Sequence, residues 1–416
     1  MRILRIPSYF YPEIMSSSHL ERDRYEAFSR EGFEVVVFVP TPTRGIDAKT
    51  RKNYKKVKYE ELYNNSVKVH RFSMFREAKN SVLRAIRYLL VNLVQYRKSI
   101  KTAEINVIYG GSTPPTQGML CAKIKKKLSK KYKKNVPFVY NLQDIFPDSL
   151  VNAKMTKKGS LIWKIGRKIE NYTYSNADKI IVISEDFKRN IMEKGVPEEK
   201  IVVIPNWVNT DNVYSVPREE NVLFERYGLD PSRYYICYSG NIGHSQNMRM
   251  LLDAAKQLAS EIPELTFVLV GEGAARDEVK AAIDSEGITN VVMLPFQPYE
   301  EISHVFSLGD AGLIISKAGI GGSSVPSKTF SIMAAERPVL ASFDDDSALS
   351  SLIRESGCGV TSQANDIEAF KSAVRQLYSD RGAACEMGKR GRAYLAENLN
   401  KDKCVGEYIK TIRSLN

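Results

Sequence analysis

The sequence predicts an α/β fold of two Rossmann-like, doubly wound domains that face each other across a cleft, and three observations support this. The chain has 416 residues, more than the roughly 250–300 at which a single hydrophobic core stops growing. Short β-branched runs alternate with helical patterns from end to end, as in repeated βαβ units. Residues 1–200 hold 40 Lys and Arg against 20 Asp and Glu, whereas residues 201–416 hold 21 against 28. This asymmetry indicates two domains with different partners.

Most of the predicted strands are continuous apolar runs, which is typical of parallel strands covered on both faces. In the first half they are Ile3–Ile6, Glu34–Val39, Val67–Phe72, Val107–Tyr109, Phe138–Leu142, Ile180–Ser184 and Val202–Ile204. In the second half they are Tyr235–Ser239, Thr266–Val270, Val291–Leu294, Gly312–Ser316 and Val339–Ser342. A polar, helix-poor stretch follows Ile204 as far as Pro217. We therefore place the first domain at residues 1–206 and begin the second at residue 207.

The composition excludes several classes of protein. With 43% hydrophobic and 26% charged residues, the chain is not mainly disordered, fibrous or a disulfide scaffold. No run reaches the about 18 apolar residues of a membrane span, and Met1–Phe10 is interpreted as containing a strand rather than a signal peptide. Five scattered cysteines without a CxxC spacing predict reduced thiols in a cytoplasmic protein.

The segment Lys123–Lys134 is strongly basic. It holds eight lysines in twelve positions, and Ile124, Leu128 and Tyr132 fall four apart on one stripe. Three interpretations stay open: the solvated face of a packed helix, a surface attracted to an anionic membrane, or a contact with nucleic acid. The last is the least favoured, since no aromatic-rich platform accompanies the lysines.

The segment Asn80–Lys101 combines a wide apolar face at helical spacing with basic residues at its border. The apolar positions are Val82, Leu83, Ile86, Leu89, Leu90, Leu93 and Val94, and the basic ones are Arg84, Arg87, Arg97 and Lys98. Such a helix is either buried in a core or lies in the interface of a bilayer.

Three strand-to-helix loops in the second half could hold a phosphate. One contains Gly240, Asn241 and Gly243, one is Gly271-Glu272-Gly273, and one spans Lys317–Lys328 with Ser323 and Ser324. Glycines let a ligand approach the backbone closely, and a helix amino terminus offers N–H groups. The three loops together predict nucleotide binding, and the third resembles a pyrophosphate cradle. That loop lacks GxxxxGK[ST], and the first βα turn lacks GxGxxG, so an ATPase of the Walker type and a dehydrogenase are disfavoured.

The run Asp344-Asp345-Asp346 has two interpretations. Paired carboxylates suit Mg²⁺ or Mn²⁺. Because the run lies between a predicted strand and a helix that begins near Ala348, helix capping is the simpler explanation.

A set of motifs, in this order and spacing, is similar to one enzyme family. The motifs are Tyr11-Pro12-Glu13, Gln143-Asp144-Ile145-Phe146-Pro147-Asp148-Ser149, Ala177-Asp178-Lys179-Ile180-Ile181-Val182-Ile183-Ser184, Ile204-Pro205-Asn206-Trp207-Val208, Tyr238-Ser239-Gly240-Asn241-Ile242-Gly243, Val270-Gly271-Glu272-Gly273, Val325-Pro326-Ser327-Lys328 and Met333-Ala334-Ala335-Glu336-Arg337-Pro338-Val339. The set covers nearly the whole chain. It resembles the family-4 retaining glycosyltransferases, and most of all the bacterial branch that builds capsule, O-antigen or colanic-acid exopolysaccharide units.

The resemblance implies the two-domain GT-B fold. The nucleotide-sugar would bind the C-terminal domain, residues 207–391, the acceptor would bind the N-terminal domain, and a final helix in residues 392–416 would cross back to it. The reaction would move a sugar from a UDP-sugar, for example an N-acetylated or 6-deoxy amino sugar, to a polyprenyl-diphosphate-linked saccharide at the inner face of the bacterial membrane. No metal or cofactor is expected, since a helix amino terminus and basic side chains stabilise the leaving diphosphate.

The resemblance also assigns candidate residues. On the donor side they are Gly240, Asn241, Gly243, Arg249, Glu272, Ser323, Ser324, Ser327, Lys328 and Ser331. On the acceptor side they are Glu13, Ser16, Ser17 and Asp144. Lys328 and Asp144 are the catalytic candidates: the first meets the diphosphate, and the second orients an acceptor hydroxyl. Asp144 and Glu13 could instead cap helices, and Glu272 could contact the base or ribose or serve only in a turn.

This chain departs from the family pattern at three places. Ser323 and Ser331 stand where many relatives carry glutamates, and Gln143 stands where a histidine is common before Asp144. Many relatives also have an Arg and a Lys where this chain offers Asn241 and Gln246-Asn247-Met248. Lys328 is therefore expected to be the main charge for the diphosphate, with Arg249 as a helper.

Two other functions are compatible with these residues. A UDP-sugar epimerase of the same fold needs acid and base groups beside the sugar, for which His19 and His244 are the candidates. A non-catalytic binder of anionic surfaces would use only the basic first half.

Overall fold

A computed structural model describes residues 1–13, 18–77, 81–152, 156–207, 210, 212–319 and 326–415. The chain divides into two compact units, one of Met1–Pro205 with Asp402–Asn416 and one of Asn206–Lys401. The first boundary lies one residue from the predicted one. The return to the first unit begins at Asp402 rather than at residue 392, because Arg381–Asn398 is a helix of the second unit.

The first unit is built on an eight-stranded sheet. Its strands are β1 (Arg2–Arg5), β2 (Glu34–Pro40), β3 (Tyr59–Leu62), β4 (Val67–Phe72), β5 (Val107–Gly111), β6 (Phe138–Leu142), β7 (Lys179–Val182) and β8 (Ile201–Val203). Its helices are α1 (Ser18–Arg30), α2 (Ala48–Tyr54), α3 (Ser81–Ser99), α4 (Thr116–Tyr132), α5 (Asp148–Asn152), α6 (Leu161–Asn176) and α7 (Glu185–Glu193). The order is β3-β4-β2-β1-β5-β6-β7-β8, and only the β3–β4 pair is antiparallel.

The second unit is built on a six-stranded parallel sheet. Its strands are β9 (Tyr234–Ser239), β10 (Leu265–Val270), β11 (Val291–Leu294), β12 (Ala311–Ile315), β13 (Val339–Phe343) and β14 (Gly359–Gln363). Its helices are α8 (Val222–Tyr227), α9 (Met248–Leu258), α10 (Arg276–Ser285), α11 (Ile302–Phe306), α12 (Lys328–Ala334), α13 (Ala348–Ser356), α14 (Ile367–Ser379) and α15 (Arg381–Asn398). The order is β11-β10-β9-β12-β13-β14. The prediction of two doubly wound α/β domains is confirmed.

The last helix, α16 (Lys401–Arg413), belongs to the first unit apart from its first residue and buries Cys404, Val405, Tyr408, Thr411 and Ile412. The Tyr408 hydroxyl donates to Asn141 Oδ1 at 3.1 Å, and its ring lies edge-to-face with Tyr109, with 6.4 Å between centroids. Arg413 pairs with Glu31 at the end of the helix. These contacts hold residues 402–415 against the carboxyl end of β6 and against β5.

Helix α3 packs with its polar side inward. Gln95 Nε2 donates to the backbone oxygens of Pro7 at 2.7 Å and Phe38 at 2.8 Å, and Arg87 Nε donates to the oxygen of Phe75 at 3.0 Å. These buried side chains satisfy backbone carbonyls within β2 and in the loops after β1 and β4, where leucines could offer no donor.

The apolar side of α3 is consequently turned outward. Exposed fractions are 50% for Leu83, 45% for Ile86, 59% for Leu89, 42% for Leu90 and 43% for Leu93. The interpretation as a buried core helix is therefore wrong for these five positions, and Arg87, which we expected at the border, is buried. Asn80 and the side chain of Val82 lie outside what the structure describes. Among the described residues, no helix is long and apolar enough to cross a membrane.

Candidate active site

The candidate donor site lies at the point in the second sheet where the strand order reverses. Strand β9 stands between β10 and β12, so the order of strands changes direction at the β9–β12 pair. Ligands of open α/β sheets bind outside the carboxyl ends of the strands at this point. Gly240 follows β9 directly, and Lys328 begins the helix that follows β12.

The loops after β9 and β10 are held together by backbone contacts that only glycine permits. Gly240 N donates to Val270 O at 2.9 Å, and Ile242 N donates to Glu272 O at 2.8 Å. Gly271 has a φ of +150°, and a Cβ there would lie 2.0 Å from Gly240 O. The predicted glycine loops after β9 and β10 therefore pack against each other at the carboxyl edge of the sheet.

We expect Gly271→Ala to lower the free energy of unfolding of the second unit by about 2–3 kcal/mol, because the new Cβ both strains the backbone and overlaps Gly240 O. Urea unfolding of the purified chain measures the change. The control is Gly382→Ala in α15, where the nearest atom to a Cβ is 3.5 Å away and stability should be unchanged or slightly higher. Equal stability of the two variants would contradict the close loop contact.

The ammonium group of Lys328 lies over the ring of Tyr238, with 3.8 Å between Nζ and the ring centroid. It also borders Gly240, where a Cβ would be 2.9 Å from Nζ. Burial lowers the pKa of Lys328 to about 7, since the charged form is partly removed from water. Among the described residues, no carboxylate is within ion-pair distance of this lysine. A bound anion would therefore stabilise its charged form.

The amino terminus of α12 offers few free N–H groups. The helix begins at Lys328 and has 7 residues. Thr329 N and Phe330 N donate to Pro326 O at 3.0 Å and Ser327 O at 3.2 Å. Two of its first N–H groups are therefore already bonded, and the side chain of Lys328 is the clearest cation offered to a ligand.

The other donor-side candidates divide into four groups. Asn241, Gly243 and Ser327 lie on the loops and turn beside Gly240 and Lys328, and Ser331 lies one turn into α12. Arg249 points elsewhere, because it pairs with Asp253 and Glu286 on the outer side of α9, so its assignment as a helper is wrong in this conformation. Glu272 pairs with Arg276 at 3.3 Å and is mostly exposed. Ser323 and Ser324 lie outside the described residues.

Asp344 fastens the loop after β12 rather than capping α13. Its carboxylate accepts from Gly319 N at 3.0 and 2.9 Å. The N-cap of α13 is Ser347, which accepts from Ser350 N at 3.2 Å, so the capping interpretation of the aspartates is wrong. Within the described ranges, no three His, Cys, Asp or Glu side chains form a group that could hold a metal ion.

On the acceptor side, Glu13 holds two backbone segments together by hydrogen bonds. Its carboxylate accepts from Thr43 N at 2.8 Å, Arg44 N at 2.9 Å and Phe10 N at 3.3 Å. Burial raises the pKa of Glu13, although the three backbone donors and Arg87 oppose the shift. The residue fastens two loops and caps no helix. Ser16 and Ser17 lie outside the described residues.

Asp144 lies in the loop after β6, at the carboxyl edge of the first sheet. Desolvation raises the pKa of Asp144, and the hydroxyl of Ser149 opposes the shift. The residue is exposed as a whole. Its carboxyl is hydrogen-bonded to Ser149, and the role of orienting an acceptor hydroxyl stays a prediction.

The basic segment Lys123–Lys134 forms most of the second half of α4. Ile124 and Leu128 are buried, as the stripe predicts. Lys125 pairs with Asp178 at 2.6 Å and Lys131 donates to two backbone oxygens. Lys123, Lys127 and Lys130 are exposed to solvent. The segment is therefore a packed helix with a solvated, charged outer face, which is the first of the three interpretations. This packing leaves the exposed lysines available to an anionic membrane surface.

The sequence did not assign a role to Tyr238, although it is part of a quoted motif. Its ring supports Lys328, and its hydroxyl donates to Asn241 O at 2.6 Å. An aromatic residue near the end of a strand that runs into a glycine loop was the available signal.

Comparison with known proteins agrees with this geometry. Residues 23–212 match the model of Glycosyltransferase Family 4, and residues 219–394 match the model of Glycosyl transferases group 1. WbjE of Pseudomonas aeruginosa, which is named as a glycosyltransferase, is 27% identical over 290 residues, or 68% of this chain and 70% of that protein. WcaI of Escherichia coli, named as a glycosyl transferase of colanic acid biosynthesis, is 25% identical over 279 residues, or 66% and 67%. The crystal structure of Anabaena Alr3699/HepE in complex with UDP has a TM-score of 0.72 at 15% identity and covers 100% of both chains.

The two family models follow each other along the chain, cover most of it and correspond closely to the two units. The chain therefore belongs to the family-4 glycosyltransferases, with the GT-B fold. It is a glycosyltransferase that uses a nucleotide-sugar donor.

Proposed function

We propose that the protein transfers a sugar from a UDP-sugar to a polyprenyl-diphosphate-linked saccharide, with retention of the anomeric configuration and without a metal ion, in the synthesis of a surface polysaccharide. The position of Lys328 carries the donor half of this proposal. Its ammonium has no carboxylate in ion-pair distance among the described residues and lies against Gly240, where a Cβ would be 2.9 Å from Nζ. The missing side chain of Gly240 therefore lets the ammonium lie directly beside the loop that follows β9.

The reaction needs no nucleophile from the protein. The bond from the anomeric carbon to the diphosphate oxygen breaks, and the acceptor oxygen forms a new bond to that carbon on the same face. The acceptor proton passes to an oxygen of the leaving diphosphate. Lys328 offsets the negative charge that develops there, and Asp144 orients the acceptor hydroxyl.

The lipid half of the proposal is supported by the surface of the first unit. The apolar side of α3 faces outward, and α6 adds Leu161, Ile162 and Ile165, which are 73%, 56% and 52% exposed. Both helices pack against α4, whose exposed lysines attract an anionic bilayer. Apolar side chains next to lysines are the composition of a surface that lies on a membrane.

The proposal is tested by incubating the purified protein with a panel of UDP- and GDP-sugars and a polyprenyl-diphosphate-linked saccharide in anionic vesicles. We expect UDP release that depends on the acceptor, unchanged by EDTA, and a product with the anomeric configuration of the donor. Release from GDP-sugars only, inversion, or dependence on a divalent ion would each refute the corresponding part.

Two related experiments test the two rival functions. Epimerised sugar formed from UDP-GlcNAc without any acceptor would favour the epimerase. A protein that binds anionic vesicles but neither UDP nor GDP would be a non-catalytic surface binder.

A further inference from the structure

The first unit has a cavity lined in part by basic side chains. This cavity of about 600 Å³ lies at the carboxyl ends of the neighbouring strands β2 and β4. Of the described residues that line it, three are basic and none is acidic, and the basic ones are Arg51, Lys55 and Arg76. The volume is within the range of small-molecule sites, and the location is the ligand-binding edge of an α/β sheet.

Two polar atoms of the lining have no partner among the described residues. Thr43 Oγ1 and Arg51 Nε are both buried without a hydrogen bond. The Arg51 side chain makes one hydrogen bond to a described residue, from Nη2 to Ile46 O at 3.2 Å. Buried donors without partners are rare in native proteins. Both atoms are closed to solvent, so a ligand in the cavity reaches them only after the two side chains turn.

The basic side chains of the cavity have no ion-pair partner in the part of the chain that the structure describes. Among the described residues, no carboxylate lies within ion-pair distance of Arg51, Lys55 or Arg76. The cavity therefore favours an anion.

The remaining lining is apolar at Pro42, Met74 and Phe75 and carries hydroxyl groups at Thr41, Thr43 and Ser73. Phe75 is 45% exposed. The backbone oxygen of Phe75 accepts from Arg87 of α3, so the rim of the cavity is fixed to the helix whose leucines face outward. The basic lining, the rim at Phe75 and the outward side of α3 therefore suit a ligand that has a charged group and an apolar tail.

We propose that this cavity binds the phosphate or diphosphate group of an amphiphilic acceptor, whose apolar tail leaves along Phe75 towards α3. This inference rests on the proposed function, since it identifies how the lipid acceptor is recognised. The basic side chains hold the charged group through charge-assisted hydrogen bonds.

Calorimetric titration with farnesyl diphosphate, inorganic pyrophosphate and farnesol tests the site, with Lys328→Ala as the background to remove anion binding at the donor loops. The variant Arg51→Gln/Lys55→Gln/Arg76→Gln should bind farnesyl diphosphate at least about tenfold more weakly. The control Lys49→Gln/Lys52→Gln/Lys56→Gln removes the same charge from exposed positions on and beside α2 and should bind as the background does. The double variant Lys55→Gln/Arg76→Gln changes only exposed side chains and should show a smaller loss in the same direction.

Three results would overturn the site: unchanged affinity in the triple variant, an equal loss in the control, or farnesol binding as tightly as farnesyl diphosphate. Pyrophosphate binding as tightly as farnesyl diphosphate would overturn the amphiphilic ligand and identify a free-phosphate site. The proposed function is judged separately, by sugar-transfer assays of proteins that retain Lys328. If the triple variant transfers sugar at the wild-type rate, the cavity is rejected and the function is kept. If the protein with an intact cavity binds farnesyl diphosphate but transfers no sugar, the function is rejected and the cavity is kept.

Discussion

Lys328→Ala is expected to reduce kcat/KM for sugar transfer by about 10²–10³-fold, because the ammonium meets charge that grows on the leaving diphosphate. The fold should be retained. The lysine makes no ion pair with a described residue, and its pKa of about 7 indicates that its charged form is not stabilised by the protein alone. Steady-state kinetics with a UDP-sugar, together with urea unfolding, measure both quantities.

Two further variants separate charge from packing. Lys328→Met keeps an apolar stem over the ring of Tyr238 and should be as impaired as Lys328→Ala. Lys280→Ala removes an exposed lysine that pairs with Asp284 on α10 and should be fully active. Wild-type rates in Lys328→Met would reject the role of the ammonium.

The same lysine predicts how UDP binding depends on pH. Below pH 7 the free protein already carries the ammonium, so binding needs no proton uptake. Above pH 7 the free lysine is increasingly neutral while the bound diphosphate favours the charged form, so the affinity should fall by up to about tenfold per pH unit. Calorimetric titrations between pH 6.5 and 8.5 should show this slope in the wild type and none in Lys328→Met.

The buried parallel strands could be predicted from the sequence, whereas two edge strands were missed. Runs such as Thr266–Val270 are apolar because neighbouring strands and helices cover them. β3 and β14 each stand at the end of a sheet, and their sequences YEEL and GVTSQ are largely polar because they are only half covered. Without a continuous apolar run, they gave no strand pattern.

The direction of an amphipathic helix could not be read from its periodicity alone. The spacing in α3 correctly predicts one apolar and one polar side. Which side faces the sheet depends on groups distant in sequence, here the carbonyls of Pro7, Phe38 and Phe75, which accept from Gln95 and Arg87. For the same reason, Arg249 could be predicted near the donor loops, but its pairing with Glu286, thirty-seven residues away, could not.

The variant Leu89→Ser/Leu90→Ser/Leu93→Ser is expected to bind anionic vesicles about 100-fold more weakly than the wild type. Each of these side chains is roughly half exposed, so burying the remainder in a membrane interface gives about 1 kcal/mol per residue, or about 3 kcal/mol for the three. Vesicle sedimentation at several lipid concentrations measures the partition coefficient. Binding by the wild type should also weaken as salt is added, because the lysines of α4 contribute through screened attraction.

Stability distinguishes this surface from a core. If the leucines face solvent, the triple variant should unfold at the same urea concentration as the wild type, whereas three buried leucines replaced by serine would cost several kcal/mol. The control Met192→Ser/Val222→Ser removes exposed apolar side chains from α7 and α8 and should bind vesicles normally. An unfolded triple variant, or equal vesicle binding by all three proteins, would show that α3 is not the membrane-facing helix. A stable triple variant that releases UDP normally with a water-soluble acceptor, yet fails with a lipid acceptor in vesicles, would instead locate the defect at the membrane rather than at the donor loops.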